Sequence, residues 1–177
     1  MFEKVSYEVI KKIGDVEIRK YPKIILAFVE GYEGDSGFSL LFNYISGNNK
    51  IKKQIKMTAP VITSEKIPMT APVISKEDYM AFIIPSSYDE ETVPIPTNSN
   101  VKIKHQPEKI LAVLRFSGKT SRKKVEKQIE RLLGTLEKNQ IQIIDKPILM
   151  RYNSPFAPGF IRRNEVAIEI KNIRNNY

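Results

Sequence analysis

The stretch VEIRKYPKIILA at residues 16–27 is repeated as VKIKHQPEKILA at residues 101–112, without a gap and at a constant offset of 85. In both copies alternating residues lead to a proline, Pro22 or Pro107, and an apolar run follows it. Alternation indicates a half-buried strand, and the apolar run indicates a strand covered on both faces. Agreement at so many apolar positions predicts an internally duplicated chain whose halves each begin with two strands joined by a proline turn.

The elements that surround the two copies extend this pattern. Residues 7–13 alternate and are followed by Gly14-Asp15, so they predict a hairpin with residues 16–21. One helix is predicted after each copy. The first is capped by Asp35 or Ser36 and ends at residues 47–49, and the second begins at Thr120 or Ser121. In both helices the apolar residues recur at helical spacing. Those of the second helix are Val125, Ile129, Leu132, Leu133 and Leu136. Those of the first helix are Phe38, Leu41, Phe42 and Ile45.

Two further strands are predicted after each helix. They cover residues 56–61 and 79–84 in the first half, and residues 148–152 and 165–170 in the second. The sequence therefore predicts an α+β fold with an antiparallel sheet, two flanking helices and two pseudo-symmetric ββαββ halves, at about 5–90 and 100–172 of a single domain covering residues 1–177. Pockets commonly form where such halves meet, so we expect a ligand groove there.

Composition and charge narrow the class of function. The chain has no cysteine, which excludes disulfides, thiolate metal sites and a thiol nucleophile. Its formal charge of +9 attracts anionic partners, but the cations recur on alternate strand positions or around a helix, as on solvated faces. We therefore expect no specific nucleic-acid partner. With neither a leader nor a long apolar run, we expect a cytoplasmic monomer without a membrane span.

A shorter repeat, MTAPVI, occurs at residues 57–62 and again at residues 69–74. Proline has no backbone donor, which places this segment at the rim of a sheet, where a ligand would arrive. Methionine suits an adaptable apolar pocket, so Met57 is a candidate ligand contact. Packing in the core is the alternative role for this side chain.

Five short strings together resemble the SOUL/haem-binding protein family. They are VEIRKY at 16–21, KMTAPV at 56–61, AVLRFSG at 112–118, YNSP at 152–155 and RRNEV at 162–166. They occur in the expected order between residues 7 and 170, which makes the combination specific although each string is short.

The resemblance implies a distorted, barrel-like antiparallel sheet related to the GyrI-like effector-binding modules. It also implies reversible, non-covalent binding of haem or other tetrapyrroles, as a carrier or buffer, in an exposed apolar groove. One border of the groove would be formed by Phe38, Leu41, Phe42 and Ile45, and the other by Phe156, Pro158 and Phe160.

One departure concerns the iron ligand. A histidine proposed as haem ligand in some members of the family is replaced here by Lys20. The only histidine, His105, lies at the equivalent position of the second copy and is a candidate ligand; a surface role is the alternative. Arg162 and Arg163 suit haem propionates, although Arg163 is equally placed to hold Glu165.

The chain lacks the side chains that usually act as nucleophiles in enzymes, since it contains no cysteine and no recognisable nucleophile motif. We expect a protein that is not an enzyme. The alternative is a carboxylate-based hydrolase in which Glu33, Asp35 or Glu165 has a raised pKa. Two other functions stay open: a GyrI-like module for another amphipathic small molecule or a protein partner, and an electrostatic adaptor for nucleic acid or membranes.

Overall fold

A computed structural model describes residues 3–32, 34–52, 64–154 and 156–173. The chain divides into two compact units built from interleaved segments: unit 1 contains residues 1–4 and 23–107, and unit 2 contains residues 5–22 and 108–177. The elements follow in the order β1 (Glu3–Lys4), β2 (Glu8–Ile13), β3 (Val16–Tyr21), β4 (Ile24–Glu30), α1 (Asp35–Ile45), β5 (Asn49–Lys50), β6 (Thr70–Ala71), β7 (Val73–Lys76), β8 (Tyr79–Ile83), β9 (Ile95–Pro96), β10 (Lys102–Gln106), β11 (Lys109–Ser117), α2 (Arg122–Lys138), β12 (Ile148–Arg151), a 3-10 helix (Gly159–Ile161) and β13 (Arg163–Glu169).

Unit 1 is an antiparallel sheet in the order β10-β4-β8-β7, with α1 packed on it. The apolar run at 24–29 forms β4, which pairs with β10 on one side and β8 on the other, so the predicted strand is confirmed. Leu41, Tyr44 and Ile45 of α1 lie in one core with Ala27 and Phe82 of the sheet. Two short pairs complete the unit, β5 with β9 antiparallel and β1 with β6 parallel.

Unit 2 is an antiparallel sheet in the order β12-β13-β11-β3-β2, with α2 on one face. Leu132 and Leu136 of α2 are fully buried. They share a core with alternate residues of three strands, namely Val16, Ile18, Ala112, Leu114, Val166 and Ile168. Because side chains alternate along a strand, residues adjacent to these six lie on the opposite face.

The two helices begin as predicted to within a residue. Ser121 caps α2, since its hydroxyl accepts a hydrogen bond from the Lys124 amide at 3.4 Å. For α1 the predicted cap is wrong: Asp35 and Ser36 are already helical, and Gly34 precedes the helix with no side-chain cap. Gly34 has a φ of 55°, a conformation that glycine adopts without strain.

The hairpin, both helices and the strands at 79–84, 148–152 and 165–170 are confirmed, with small shifts of their ends. The α+β class and the antiparallel sheet are confirmed as well. The second MTAPVI copy forms β6 and β7. The first copy, with Met57 and the strand predicted at 56–61, lies outside the described residues, as does Glu33. The single domain and the duplication stay predictions.

Strand pairing differs from the sequence halves in one respect. By the offset of 85, β3 corresponds to β10, and β4 overlaps the start of β11. The structure pairs β3 with β11 and β10 with β4. Each compact unit therefore takes its first repeat strand from the other half of the sequence. Of the two helices in the described residues, neither has the length and apolar character needed to cross a membrane.

Candidate functional site

A buried carboxylate occupies the face of the unit 2 sheet opposite α2. Glu165 of β13 is fully buried, next to Val166, which points into the α2 core. Two guanidinium groups hold it. Arg19 donates to both of its oxygens at 2.9 and 3.1 Å, and Arg163 donates to Oε1 from Nη2 at 2.8 Å and from Nε at 3.1 Å. Such charge-assisted bonds from planar guanidinium groups fix the carboxylate in one orientation.

Tyrosines complete the polar network around these charges. The Tyr152 hydroxyl donates to Glu165 Oε2 at 2.8 Å, while the Tyr21 hydroxyl accepts from Arg19 at 3.0 Å. The guanidinium of Arg19 lies 4.1 Å from the ring centre of Tyr7, close enough for a cation–π contact.

The electrostatic environment keeps Glu165 ionised. Burial by itself would raise the pKa of this carboxyl, but the hydrogen bonds and positive charges of Arg19 and Arg163 outweigh burial and lower its pKa. Burial raises the pKa of Tyr21 to about 12 and that of Tyr152 well above its usual value. A general acid needs the opposite shift, so Glu165 does not have the property on which the carboxylate-hydrolase alternative depends.

Arg163 thus takes the structural role that its spacing to Glu165 indicated. Sequence reasoning missed Arg19, the more deeply buried partner. The available signal was the polar side of the repeat strand, where Glu17, Arg19 and Tyr21 alternate with Val16 and Ile18. Glu17 also accepts a hydrogen bond from Arg19 Nε at 2.8 Å, so two carboxylates face the two arginines.

An open cleft of about 290 Å³ lies elsewhere on unit 2. We call it the Lys20 cleft. Its charged rim consists of two ion pairs, Lys20 with Glu108 at 3.3 Å and Lys109 with Glu169 at 2.8 Å. Its remaining lining residues are Ile10, Ile110, Ile170 and Asn172. Apolar side chains between charged ones suit a small amphipathic molecule.

The predicted ligand residues of the C-terminal region lie on a strongly exposed loop, residues 156–161. Phe156 is 96% exposed and Phe160 is 83% exposed, while Pro158 is exposed between them. Arg162 donates from Nε to the Ala157 carbonyl at 2.8 Å and so closes the loop on itself.

The predicted ligand residues of α1 divide between core and surface. Leu41 and Ile45 are buried in the core of unit 1. Phe42 is 47% exposed and stacks on Phe38 with ring centres 6.0 Å apart. Phe38 in turn contacts the buried Phe82 edge-on at 5.3 Å. Phe42 therefore supplies most of the aromatic surface that this helix offers to a ligand.

His105 lies on β10, is 44% exposed at its side chain, and places Nδ1 3.6 Å from a carboxylate oxygen of Glu90. Asp35 is exposed in the first turn of α1. Within the described part of the chain, no group of three or more His, Asp or Glu side chains is arranged to hold a metal ion.

Comparison with known protein sequences gives consistent results. Residues 2–169 match the family model described as SOUL heme-binding protein. Heme-binding protein 2 from Homo sapiens is 34% identical over 167 residues, which cover 90% of this chain and 80% of that protein. Heme-binding protein 2 from Mus musculus is 32% identical over 172 residues, covering 89% of this chain and 83% of that protein.

Solved structures resemble the chain at much lower sequence identity. The C-terminal domain of EcmrR has a TM-score of 0.60 at 11% identity, with 94% of this chain and 99% of that chain covered. A hydrolase from Listeria innocua has a TM-score of 0.58 at 13% identity, with 92% and 94% covered. At such identities the likeness shows the fold alone.

Proposed function

Because the chain belongs to the SOUL haem-binding protein family, we propose that it binds haem or another tetrapyrrole reversibly and without a covalent bond, as a carrier or buffer. The match to the family model over residues 2–169 carries this proposal. Two relatives named Heme-binding protein 2, each matched over about nine-tenths of this chain, support it.

Exposed aromatic side chains are proposed to supply the apolar contacts. Phe156 and Phe160 of unit 2 offer flat surfaces to solvent. Burying one such ring against a ligand contributes about 1.5–3 kcal/mol when burial is complete. Arg162, half-buried behind the loop, supplies positive charge for a propionate, whereas Arg163 is committed to Glu165.

Iron ligation is proposed to be weak and secondary to apolar burial. Lys20 stands where some members of the family have a histidine proposed as haem ligand, and His105 is the candidate ligand in its place. If apolar contact dominates, iron-free protoporphyrin binds nearly as well as ferric haem. The complex then resists added salt, because salt screens charges and does not weaken apolar burial.

Titration of the purified protein with ferric haem and with protoporphyrin tests the proposal. Soret absorbance and porphyrin fluorescence are followed at low and high salt. We expect saturable one-to-one binding of both, weakened about tenfold in the double variant Phe156→Ser/Phe160→Ser, as partial burial of two rings implies. The matched control is Ile144→Ser, since Ile144 is also an exposed apolar residue of unit 2, at 58% exposure.

Two further readouts complete the titration. Loss of the haem spectral shift in His105→Ala, with porphyrin binding unchanged, identifies His105 as the ligand. Absence of saturable binding of either molecule refutes the tetrapyrrole proposal.

A second candidate function is supported by the Lys20 cleft. Its volume of about 290 Å³ is just below the range of most ligand pockets, roughly 300–1,000 Å³, and so suits a small molecule. Its two lysines, two glutamates and three isoleucines suit a small amphipathic molecule, as in a GyrI-like binding module. A thermal-shift screen of amphipathic cations and anions checks this, with Ile110→Asp expected to abolish any stabilisation that wild type shows.

A further inference from the structure

The net positive charge of the chain comes from one of its two units. Unit 2 contains 19 lysines and arginines against 10 aspartates and glutamates, a surplus equal to the formal +9 of the whole chain. Unit 1 contains 10 of each kind and is formally neutral. The surplus of positive over negative side chains therefore belongs to unit 2 and is not spread evenly over the chain.

Among the described residues of unit 2, the 156–161 loop contains the most exposed large apolar side chains. Besides Phe156 and Phe160, Ile161 is 55% exposed. Internal hydrogen bonds hold this loop in shape: the Ala157 amide donates to the Ser154 carbonyl at 3.0 Å, and the Ile161 amide donates to the Pro158 carbonyl at 3.1 Å. Three large apolar side chains on a preformed loop are an unusual use of surface, because such groups normally lie inside.

Strand register places this loop beside the first turn of α2. The loop leads into β13, where Arg163 pairs with Ser117 at the end of β11. α2 begins five residues after Ser117, at Arg122. A Cβ built on Gly159 would lie 3.6 Å from Cγ of Lys119, so the loop lies next to this connection.

Cations are concentrated at this end of α2. Its first turn contains Arg122, Lys123 and Lys124 and no acidic residue. Positive charge there opposes the helix dipole, so the arrangement does not serve helix stability. Lys119, Lys123 and Lys127 are exposed, and none of them forms an ion pair with another residue in the described parts of the chain.

We propose that the 156–161 loop and the cationic first turn of α2 dock unit 2 on an anionic lipid bilayer. The phenylalanines and Ile161 enter the boundary between headgroups and acyl chains, while the lysines remain at the level of the anionic headgroups. Interfacial membrane anchors bind in the same way, because their affinity combines buried apolar area with electrostatic attraction to acidic lipids. The inference goes beyond the proposed tetrapyrrole binding and does not depend on it.

The chemistry of the loop favours a bilayer over other anionic partners. A nucleic acid is recognised by aromatic platforms along a basic groove and by polar side chains that contact bases. Here the apolar residues lie on an isolated loop, and the cations lie next to it. Unit 1 has no net formal charge, so only unit 2 is attracted to an acidic surface. We therefore expect unit 2 to be the part of the chain that contacts the bilayer.

Vesicle binding of the protein without haem tests the proposal. Co-sedimentation is measured with vesicles of phosphatidylcholine alone and of phosphatidylcholine mixed with phosphatidylserine. We expect binding to the mixed vesicles only. The double variant Phe156→Ser/Phe160→Ser is expected to weaken it at least about tenfold, and Lys123→Gln about fivefold, the value for one cation near an anionic surface.

Matched controls lie in the same unit. Ile144→Ser removes an exposed apolar side chain elsewhere, and Lys138→Gln removes an exposed cation from the last turn of α2, about 22 Å along the helix from Lys123. Both controls are expected to bind like wild type. Since all these side chains are exposed, the thermal midpoints of the variants are expected to be equal.

A fluorescent reporter adds a direct readout of depth. The chain has no tryptophan, so Phe156→Trp provides a single indole on the loop. We expect a blue shift on adding the mixed vesicles and quenching by brominated acyl chains, with neither effect for Ile144→Trp.

Three results would overturn the proposal. These are equal vesicle binding by wild type and the double phenylalanine variant, an unshifted indole at position 156 in the presence of bound vesicles, and equal binding to vesicles with and without phosphatidylserine. Two other results would assign this surface to a different partner and overturn the proposal as well. In both, wild type does not bind vesicles, and it either self-associates or binds an oligonucleotide, and the double variant has lost that interaction.

Discussion

Replacement of Glu165 by alanine is expected to lower the free energy of unfolding by about 3–5 kcal/mol, the usual result of removing one partner of a buried ion pair. Glu165 accepts five hydrogen bonds, two each from Arg19 and Arg163 and one from Tyr152. At about 1.5–3 kcal/mol each, the five hydrogen bonds would together contribute more than about 7 kcal/mol to the free energy of unfolding. The cost of removing the charges from water offsets much of that contribution. The free energy of unfolding of a native protein is about 5–15 kcal/mol, so this loss would be a large fraction of the total.

Urea denaturation of matched variants measures the effect. Tyr152→Phe removes one hydrogen bond and leaves every charge in place, so it is expected to cost only about 1–2 kcal/mol. Glu165→Gln keeps the shape of the side chain, removes its charge and is expected to fall between the two. Equal costs for Glu165→Ala and Tyr152→Phe would refute the argument that charge dominates this network. If Glu165→Ala does not fold, the order of the other two variants still decides the question.

Acid sensitivity provides an independent check. The pKa of Glu165 is lowered in the folded protein, whereas an unperturbed glutamate has a pKa of about 4.3. The stability that this group contributes is therefore fully present above about pH 4.3 and is lost as the pH falls through the lower folded value. We expect the urea midpoint of wild type to fall more steeply than that of Glu165→Gln below about pH 5. Parallel curves would contradict the lowered pKa.

Three other substitutions test separate parts of the structure. Lys20→His places an imidazole at the rim of the Lys20 cleft. Lys20 pairs with Ile110, seven residues along β11 from the Ser117 that pairs with Arg163 beside the 156–161 loop, so spectral titration is expected to show unchanged affinity for ferric haem; a gain for ferric haem but not for protoporphyrin would place the haem at the cleft instead. Leu132→Ala empties a fully buried position in the unit 2 core and is expected to cost about 2–5 kcal/mol in urea denaturation, against a smaller loss for the partly buried Leu133→Ala. Gly134→Ala is expected to stabilise the protein by about 0.5–1 kcal/mol in the same assay, because a methyl group there meets nothing within 4 Å inside α2; destabilisation would show a hidden clash.

Local patterns were sufficient to predict most elements. The alternation at 16–21 and the apolar run at 24–29 identified β3 and β4, and the helical spacing of Leu132 and Leu136 identified α2 and its buried side. These predictions succeeded because each depends on neighbours within one element. The pairing of strands did not follow in the same way, since the two copies of the repeat are alike and offer similar partners.

The buried network shows where sequence reasoning ends. Arg163 and Glu165 are two residues apart on one strand, so their contact follows from alternation alone. Arg19 and Glu165 are 146 residues apart. Alternation places Arg19 on the same side of β3 as Glu17 and Tyr21 and opposite to Lys20. Nothing local shows that the side of Arg19 is the one buried beneath other residues, although Arg19 is 3% exposed and Lys20 is half-buried.

The exchange of first strands between the two halves has a consequence for synthesis and folding. β3 is made early, but its partner β11 follows about ninety residues later, since Tyr21 pairs with Lys109. Unit 1 likewise lacks its β10 until residue 106 has been made. Neither unit is complete in a nascent chain that stops at residue 90, and a fragment starting at residue 100 has lost β3. Separately expressed halves are thus expected to remain unfolded, and mixing them is expected to restore structure, because each carries a strand that the other requires.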